Sequence, residues 1–141
     1  MSFKFEQLEI WQRALAYCDL CYMIAEQLPK SEDFNLASQI KRAATSVALN
    51  IAEGSTGQTS TEQTRFLGLA VRSVIETVAC QRLIQRRFLT VESHLLERAD
   101  TEAQTLARQI HAMRRSLDPD KKWLREDGIH YEFDLGSEDT L

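Results

Sequence analysis

Apolar residues recur at steps of three and four along four stretches of the chain, and this spacing predicts four amphipathic α-helices. The second stretch, residues 36–54, shows the pattern most clearly: Ile40, Val47 and Ile51 share one face, and alanines lie beside them. Small side chains on a helix face let a neighbouring helix approach closely. Gly54 follows the last periodic residue, so we expect it to close this helix in a left-handed conformation.

Proline and candidate cap residues predict where the helices begin and end. The first helix is predicted over about 6–28, because Pro29 cannot donate a backbone hydrogen bond and restricts the residue before it. Asn35 is a candidate N-cap for the second helix, and Thr90 is one for the fourth. The third helix is predicted to extend to about Arg87, and two capping boxes are open at its start: Thr59 with Glu62, and Ser60 with Gln63.

Short connections between consecutive helices predict the fold class, an all-α bundle of four helices in antiparallel up-and-down order over residues 1–117. Residues 118–141 carry 3 Lys and Arg against 8 Asp and Glu, and are predicted to be a separate acidic C-terminal tail. Apolar and polar residues alternate over residues 129–135, which is the period of an extended strand. Two interpretations stay open: a flexible tail, or an arm that lies along its own bundle or a neighbour's.

The first and third helices carry more apolar residues than one contact face requires. The first helix has a second apolar flank that includes Leu20 and Ile24, and the third is apolar over more than half its circumference near Phe66. A single copy with these faces leaves much apolar surface in water. We therefore predict a homo-oligomer, in which copies cover Trp11, Phe66 and Val74 for one another.

Composition narrows the class of protein. At 141 residues the chain fits one domain, no apolar run approaches the roughly 18 residues of a membrane span, and the first residues lack the pattern of a secretory signal. We expect a cytoplasmic protein, and three cysteines, an odd count, give no sign of a disulfide framework. The net charge is −4, and residues 1–117 carry 14 Lys and Arg against 13 Asp and Glu. This balance counts against a dedicated nucleic-acid binder, which is usually strongly basic.

No catalytic, metal or cofactor site is predicted. Cys18 and Cys21 lie inside a helix, without the helix N-terminus that lowers a thiol pKa, so with Cys80 we expect them to be small core residues. The three histidines lie far apart, without the spacing of zinc or di-iron ligands. No nucleophile with its base, no glycine-rich phosphate loop and no small-molecule site is evident, so we do not expect an enzyme.

Arginines on the third and fourth helices are the candidate nucleic-acid contacts. The set consists of three arginines within about 60 degrees of one another on the third helix, and of others beside them and near the end of the fourth: Arg65, Arg72, Arg86, Arg87, Arg108 and Arg115. A basic stripe of this kind binds phosphates. Glu76, however, lies four residues after Arg72, where the two side chains are placed to pair. A solvated or inter-subunit salt-bridging face therefore stays open as the alternative.

Several short motifs together resemble one known family. They are Phe5, Leu8, Trp11 and Ala14 in the first helix, the runs SQIKRAA, SV and NIAEG in the second, and Arg65, Phe66, Leu67, Ala70, Ser73 and Glu76 in the third. With these motifs the chain resembles the four-helix-bundle proteins encoded in intervening sequences of bacterial 23S rRNA genes, a family that also includes accessory proteins of diversity-generating retroelements. The resemblance covers about residues 3–117 and implies a left-handed bundle that often assembles as a ring of five.

Residues of the second-helix motifs are candidates for a structural or partner role: Gln39, Arg42, Asn50, Glu53 and Gly54. The Asn50 amide is placed to bond a backbone group or a side chain of a neighbouring helix. Glu53 is placed to pair with Arg42 or with a basic residue of the first or third helix. Fastening of the second helix and contact with a ligand or partner both stay open.

Two functional hypotheses follow from these features. The first is a non-enzymatic homo-oligomeric scaffold or interaction protein without a cofactor, whose main partner is itself; the resemblance implies a pentamer. The alternative is an RNA- or DNA-binding accessory protein, associated with ribosomal RNA or a retroelement, that uses the basic residues of the third helix.

Overall fold

The computed structural model describes residues 2–56 and 59–117, and these residues form four α-helices. The helices are α1 (Glu9–Glu26), α2 (Leu36–Ser55), α3 (Ser60–Arg87) and α4 (Ser93–Leu117). Short 3-10 helices span Lys4–Gln7 and Lys30–Glu32. No strand occurs in the described ranges, so the all-α prediction is confirmed. The predicted tail, with its strand-like alternation, lies outside the described residues.

The helices pack as a four-helix bundle, in which each helix lies against the next and α4 returns to α1. Ser46 and Ser73 join the middle of α2 to the middle of α3, while Gly54 lies against Phe66. The numbering rises along one helix as it falls along the other, so the pair is antiparallel. The same opposite order holds for α3 and α4 in the contacts Arg82–Asp100 and Gly68–Arg114.

Two of the predicted helix starts are wrong. The first helix begins at Glu9 rather than near residue 6, because residues 4–7 form the tighter 3-10 turn. The fourth begins at Ser93, and Thr90 does not cap it. The Val91 amide donates to the Phe88 carbonyl at 3.2 Å, so Thr90 lies inside the turn that connects α3 to α4.

The predicted caps of α2 and α3 differ in outcome. At α3 the prediction is confirmed for one capping pair, because the Glu62 backbone amide donates to Thr59 Oγ1 at 3.0 Å. At α2, Asn35 occupies the N-cap position, but its side chain accepts no capping hydrogen bond. Glu32 takes over this role: its Oε1 accepts from the Leu36 amide at 3.3 Å.

Gly54 lies within α2 and does not close it, so the expected left-handed position is wrong. A Cβ on Gly54 would lie 3.3 Å from Phe66 Cβ and 3.4 Å from the Gln63 carbonyl oxygen. Glycine at this position therefore serves the close approach of α2 and α3.

A relay of buried hydrogen bonds joins α1 to α3 through the bundle centre. Gln81 Nε2 donates to the Tyr17 hydroxyl at 2.7 Å, and the Thr77 hydroxyl donates to the Val74 carbonyl. Because the Thr77 proton is engaged there, the Tyr17 hydroxyl is the donor in its 2.6 Å bond to Thr77 Oγ1. Tyr17, Thr77 and Gln81 are at most 1% exposed, so the relay lies away from water.

Candidate interaction surface

The α2–α3 outer face combines exposed leucines with exposed charged residues. We define it by three leucines, three arginines and two glutamates on the solvent side of these helices: Leu49, Leu69, Leu83, Arg42, Arg65, Arg72, Glu53 and Glu76. The leucines are 58%, 37% and 45% exposed, respectively. Large apolar side chains are thus mixed with charges on one continuous two-helix surface, a composition that suits a protein contact.

Packing of α2 on α3 sets the register of this face. The Ser46–Ser73 hydrogen bond, 2.8 Å between the two hydroxyl oxygens, fixes the two helices at mid-length. In an antiparallel pair, Leu49 then lies level with Leu69 and Ala70. Leu49 and Leu69 therefore lie at nearly the same level of the bundle.

Asn50 lies at the edge of the α2–α3 outer face and bonds within its own helix. Its Nδ2 donates to the Ser46 carbonyl at 2.9 Å and to Ser46 Oγ at 3.1 Å. Ser46 Oγ also accepts from Ser73. Asn50, Ser46 and Ser73 thus form one polar link between α2 and α3.

The other α2 candidates do not converge on a single site. Glu53 is exposed and pairs with neither Arg42 nor another basic group among the described residues, so the expected intrachain ion pair is wrong. Gln39 bonds to Asn35 Oδ1 at 3.2 Å near the start of α2. It lies eleven residues before Asn50, about 16 Å along the helix axis.

The α3 arginines are all exposed, but they spread along the helix. The Arg65 guanidinium lies 4.5 Å from the centre of the Phe66 ring, a cation–π contact. Arg72 forms no ion pair with Glu76, against expectation. Arg86 and Arg87 lie in the last turn of α3, about 30 Å from Arg65 along the helix axis.

The α4 arginines differ in exposure. Arg108 is half-buried with its guanidinium 3.5 Å from Thr105 Oγ1, whereas Arg115 is exposed. Arg114, which the sequence places beside Arg115 in the basic cluster near the end of the fourth helix, is buried, with 7% exposure. Its guanidinium lies over Gly68, where a Cβ would be 3.0 Å from Nη2. Gly68 has no Cβ, so α3 leaves room for the guanidinium, and this glycine is the sequence feature that points to the contact.

A groove of about 690 Å³ lies between α1 and α4. We define this α1–α4 groove by the residues that carry its apolar and charged character: Asp19, Leu20, Met23, Glu97, Arg98 and Glu102. Met23 is 44% exposed, whereas Leu20 is buried. Sequence reasoning predicted the apolar flank of α1 but missed the groove, which depends on the spacing of two helices distant in sequence.

The cysteines are free thiols without the features of a reactive site. Burial raises the pKa of Cys21 to about 12, and burial is also the largest cause of the raised pKa values of Cys18 and Cys80. Cys21 and Cys80 are core residues as predicted, and Cys18 is half-buried. In the described ranges, no group of three or more His, Cys, Asp or Glu side chains is placed to hold a metal ion.

The three residues that we expected a neighbouring copy to cover differ in how far their own bundle buries them. Val74 is fully buried in its own bundle, so that expectation is wrong. Trp11 and Phe66 are half-buried, and Trp11 packs edge-on against Phe5 with ring centres 4.7 Å apart. The large exposed apolar residues of α2 and α3 are the leucines of the α2–α3 outer face.

Comparison with known proteins gives one family match. The family model described as 23S rRNA-intervening sequence protein matches residues 6–118. No curated protein matches the chain. None of the described helices is both long enough and apolar enough to cross a membrane.

Proposed function

The chain belongs to the 23S rRNA-intervening sequence protein family, and from this premise we propose that it is a non-enzymatic homo-oligomeric scaffold or interaction protein of the cytoplasm. The number of copies that the family resemblance implies is five.

The observation that carries the proposal is the α2–α3 outer face. Its three leucines are each more than one third exposed, although the same helices have a complete buried core. Its five charged side chains form no ion pair among the described residues. Apolar side chains and unpaired charges on one surface are what a neighbouring chain can cover and pair.

Light scattering on the purified full chain tests this proposal. At micromolar concentration we expect a mass several times the 16.2 kDa of one chain. Dilution is expected to lower the mass if the copies exchange, because association depends on concentration. A mass of one chain at every concentration would contradict the proposal.

A second candidate is binding of RNA or DNA, which the exposed arginines of α3 favour. Here Arg65 and Arg72 contact phosphates, and binding weakens steeply as salt rises. A gel shift on the full chain and on the Arg65→Glu/Arg72→Glu variant tests it. Loss of a salt-sensitive shift in a variant that keeps its oligomeric mass supports this candidate, and absence of binding by the wild type at low salt excludes it.

A further inference from the structure

The end of the bundle at which α2 starts and α3 ends carries the two most exposed large apolar side chains of the described residues. Phe34, two residues before α2, is 99% exposed, and Leu89, two residues after α3, is 94% exposed. Because α2 and α3 pack in antiparallel order, the start of one helix lies beside the end of the other. Neither Phe34 nor Leu89 belongs to the α2–α3 outer face, so the association proposed above does not account for them.

A cleft of about 310 Å³ lies at the same end, between the start of α2 and the end of α3. Asn35 and Phe88 line this cleft, and they are next in sequence to Phe34 and Leu89, respectively. One end of the bundle therefore carries a projecting aromatic side chain and, beside it, a cleft.

We infer that two copies associate end to end through this surface, with Phe34 of each copy inserted in the cleft of the other. In a two-fold contact the same patch of both copies meets, so each patch has to carry both a projecting group and its receptacle. We define this end surface as residues 30–39 and 83–92. It shares only Leu83 with the α2–α3 outer face, and the contact does not depend on association through that face.

The cleft has the size and the lining that a phenyl ring requires. A cavity of about 150 Å³ is large enough to hold benzene, so a cleft of about 310 Å³ has room for the Phe34 ring. Leu36, Leu83 and Phe88 give the cleft apolar walls. Arg87 also lines it, and guanidinium groups stack on the faces of aromatic rings.

The charges of the end surface are balanced, which suits contact with a second copy of itself. Residues 30–39 contain one lysine and two acidic residues, and residues 83–92 contain two arginines and one glutamate. Three positive side chains thus stand against three negative ones, and none of the six forms an ion pair with another described residue. A surface without net charge avoids the repulsion that like charges cause across an interface.

Analytical ultracentrifugation of the full chain between about 1 µM and about 1 mM tests the inference, because two short stretches of chain form a weak, concentration-dependent contact. For the wild type we expect the mass to double as the concentration rises, since a two-fold contact joins its partners in pairs. Phe34→Asp places a charge where the ring is buried, and each contact contains this residue twice. We therefore expect this variant to associate end to end roughly a hundredfold more weakly.

A second variant blocks the cleft instead of removing the ring. Gln39 is half-buried and lines the cleft, so Gln39→Trp fills the cleft with its own side chain and is expected to weaken association as Phe34→Asp does. The matched control is Phe3→Asp. Phe3 is 70% exposed and precedes α1, whose other end lies against the start of α4 through the bond between Gln27 and Glu92. The control therefore adds the same charge at the opposite end of the bundle and is expected to keep the wild-type behaviour.

Three results would overturn the inference in variants that circular dichroism shows to be folded. The first is a Phe34→Asp variant with the wild-type mass at every concentration. The second is loss of pairing in Phe34→Asp but not in Gln39→Trp, because the ring then acts outside the cleft. The third is an equal loss in Phe3→Asp. If Phe34→Asp is a single chain where the wild type is a pair, the end contact is supported, and association through the α2–α3 outer face is wrong instead.

Discussion

At the scale of single residues, the relay through the bundle centre was not predicted from the sequence. Tyr17 lies on an apolar stripe of the first helix, and nothing local to it indicates a partner sixty residues later. The pairing with Thr77 depends on how α1 and α3 rotate toward each other. Asn50 is different, because it bonds to Ser46 one turn before it, a spacing that the sequence itself contains.

A double-mutant cycle tests the relay. Thr77→Val leaves the buried Tyr17 hydroxyl without its acceptor, and Tyr17→Phe removes that hydroxyl, so each change is expected to cost about 1–3 kcal/mol of unfolding free energy. Because the two groups bond to each other, the double variant is expected to cost less than the sum by about 0.5–3 kcal/mol. Urea unfolding measures all four proteins. Strict additivity would show that the two hydroxyls do not interact.

Ionisation of Cys21 is expected to lower the free energy of unfolding at alkaline pH. Its pKa is 9.0 as an ordinary thiol and about 12 in the fold, because burial disfavours the thiolate. Between these values the unfolded chain releases a proton that the folded chain keeps, so this group lowers stability by up to about 1.4 kcal/mol per pH unit as pH rises.

Urea unfolding at about pH 8 and about pH 10 measures this dependence. Stability is expected to fall more steeply in the wild type than in Cys21→Ala, which has no thiol to ionise. Equal losses in the two proteins would mean that Cys21 does not keep its raised pKa.

At the scale of elements, helix existence was predictable and helix ends were only partly so. The observed start of α3 agrees with the predicted one, because Thr59 caps this helix through a local hydrogen bond. The start of α4 did not match, because the bond between Val91 and Phe88 turns the chain before the helix begins. The cap of α2 comes from Glu32, which belongs to a preceding 3-10 helix that the apolar pattern does not reveal.

The cap of α3 gives a matched pair of variants. Thr59→Ala removes the acceptor of the Glu62 amide and is expected to cost about 1 kcal/mol, with a range of about 0.5–2. Ser60→Ala, at the first helical position, is expected to cost clearly less. Thermal unfolding compares the two. A larger loss for Ser60→Ala would assign the cap to the neighbouring pair, Ser60 with Gln63.

Contact between α2 and α3 gives a second element-scale prediction. Gly54→Leu forces a side chain against Phe66 and Gln63, and overpacking of this kind is expected to cost about 1–3 kcal/mol. Ala112→Leu is the control, since Ala112 is exposed in the C-terminal part of α4. Chemical denaturation of both variants measures the difference. Equal stability of the two would show that α3 yields at this point.

At the scale of the whole molecule, the sequence indicated unburied apolar surface but not its place. Phe66 and Trp11 are half-buried, Val74 is fully buried, and leucines of the α2–α3 outer face are exposed instead. Rotation of each helix about its axis decides which flank of a wide apolar face points inward, and that rotation is set by packing between helices. The α1–α4 groove escaped sequence reasoning for the same reason.

For the arginines, too, spacing in the sequence predicts some features, whereas packing between helices determines others. The spacing predicts a common face on α3 for Arg65, Arg72 and Arg86, and these three are exposed as a basic stripe requires. Burial of Arg114 against Gly68 was not readable, because it needs α3 and α4 in register. Left-handedness of the bundle stays a prediction of the family resemblance.

We expect copies of this chain to cover one another's exposed α2–α3 outer faces, and native mass spectrometry of the full chain measures whether they do. Each series of charge states in the spectrum gives the mass of one assembly, and that mass gives the number of copies. We expect a multiple of 16.2 kDa, and five copies give about 81 kDa, which is five times that mass. A spectrum containing only the 16.2 kDa chain at micromolar concentration would contradict it.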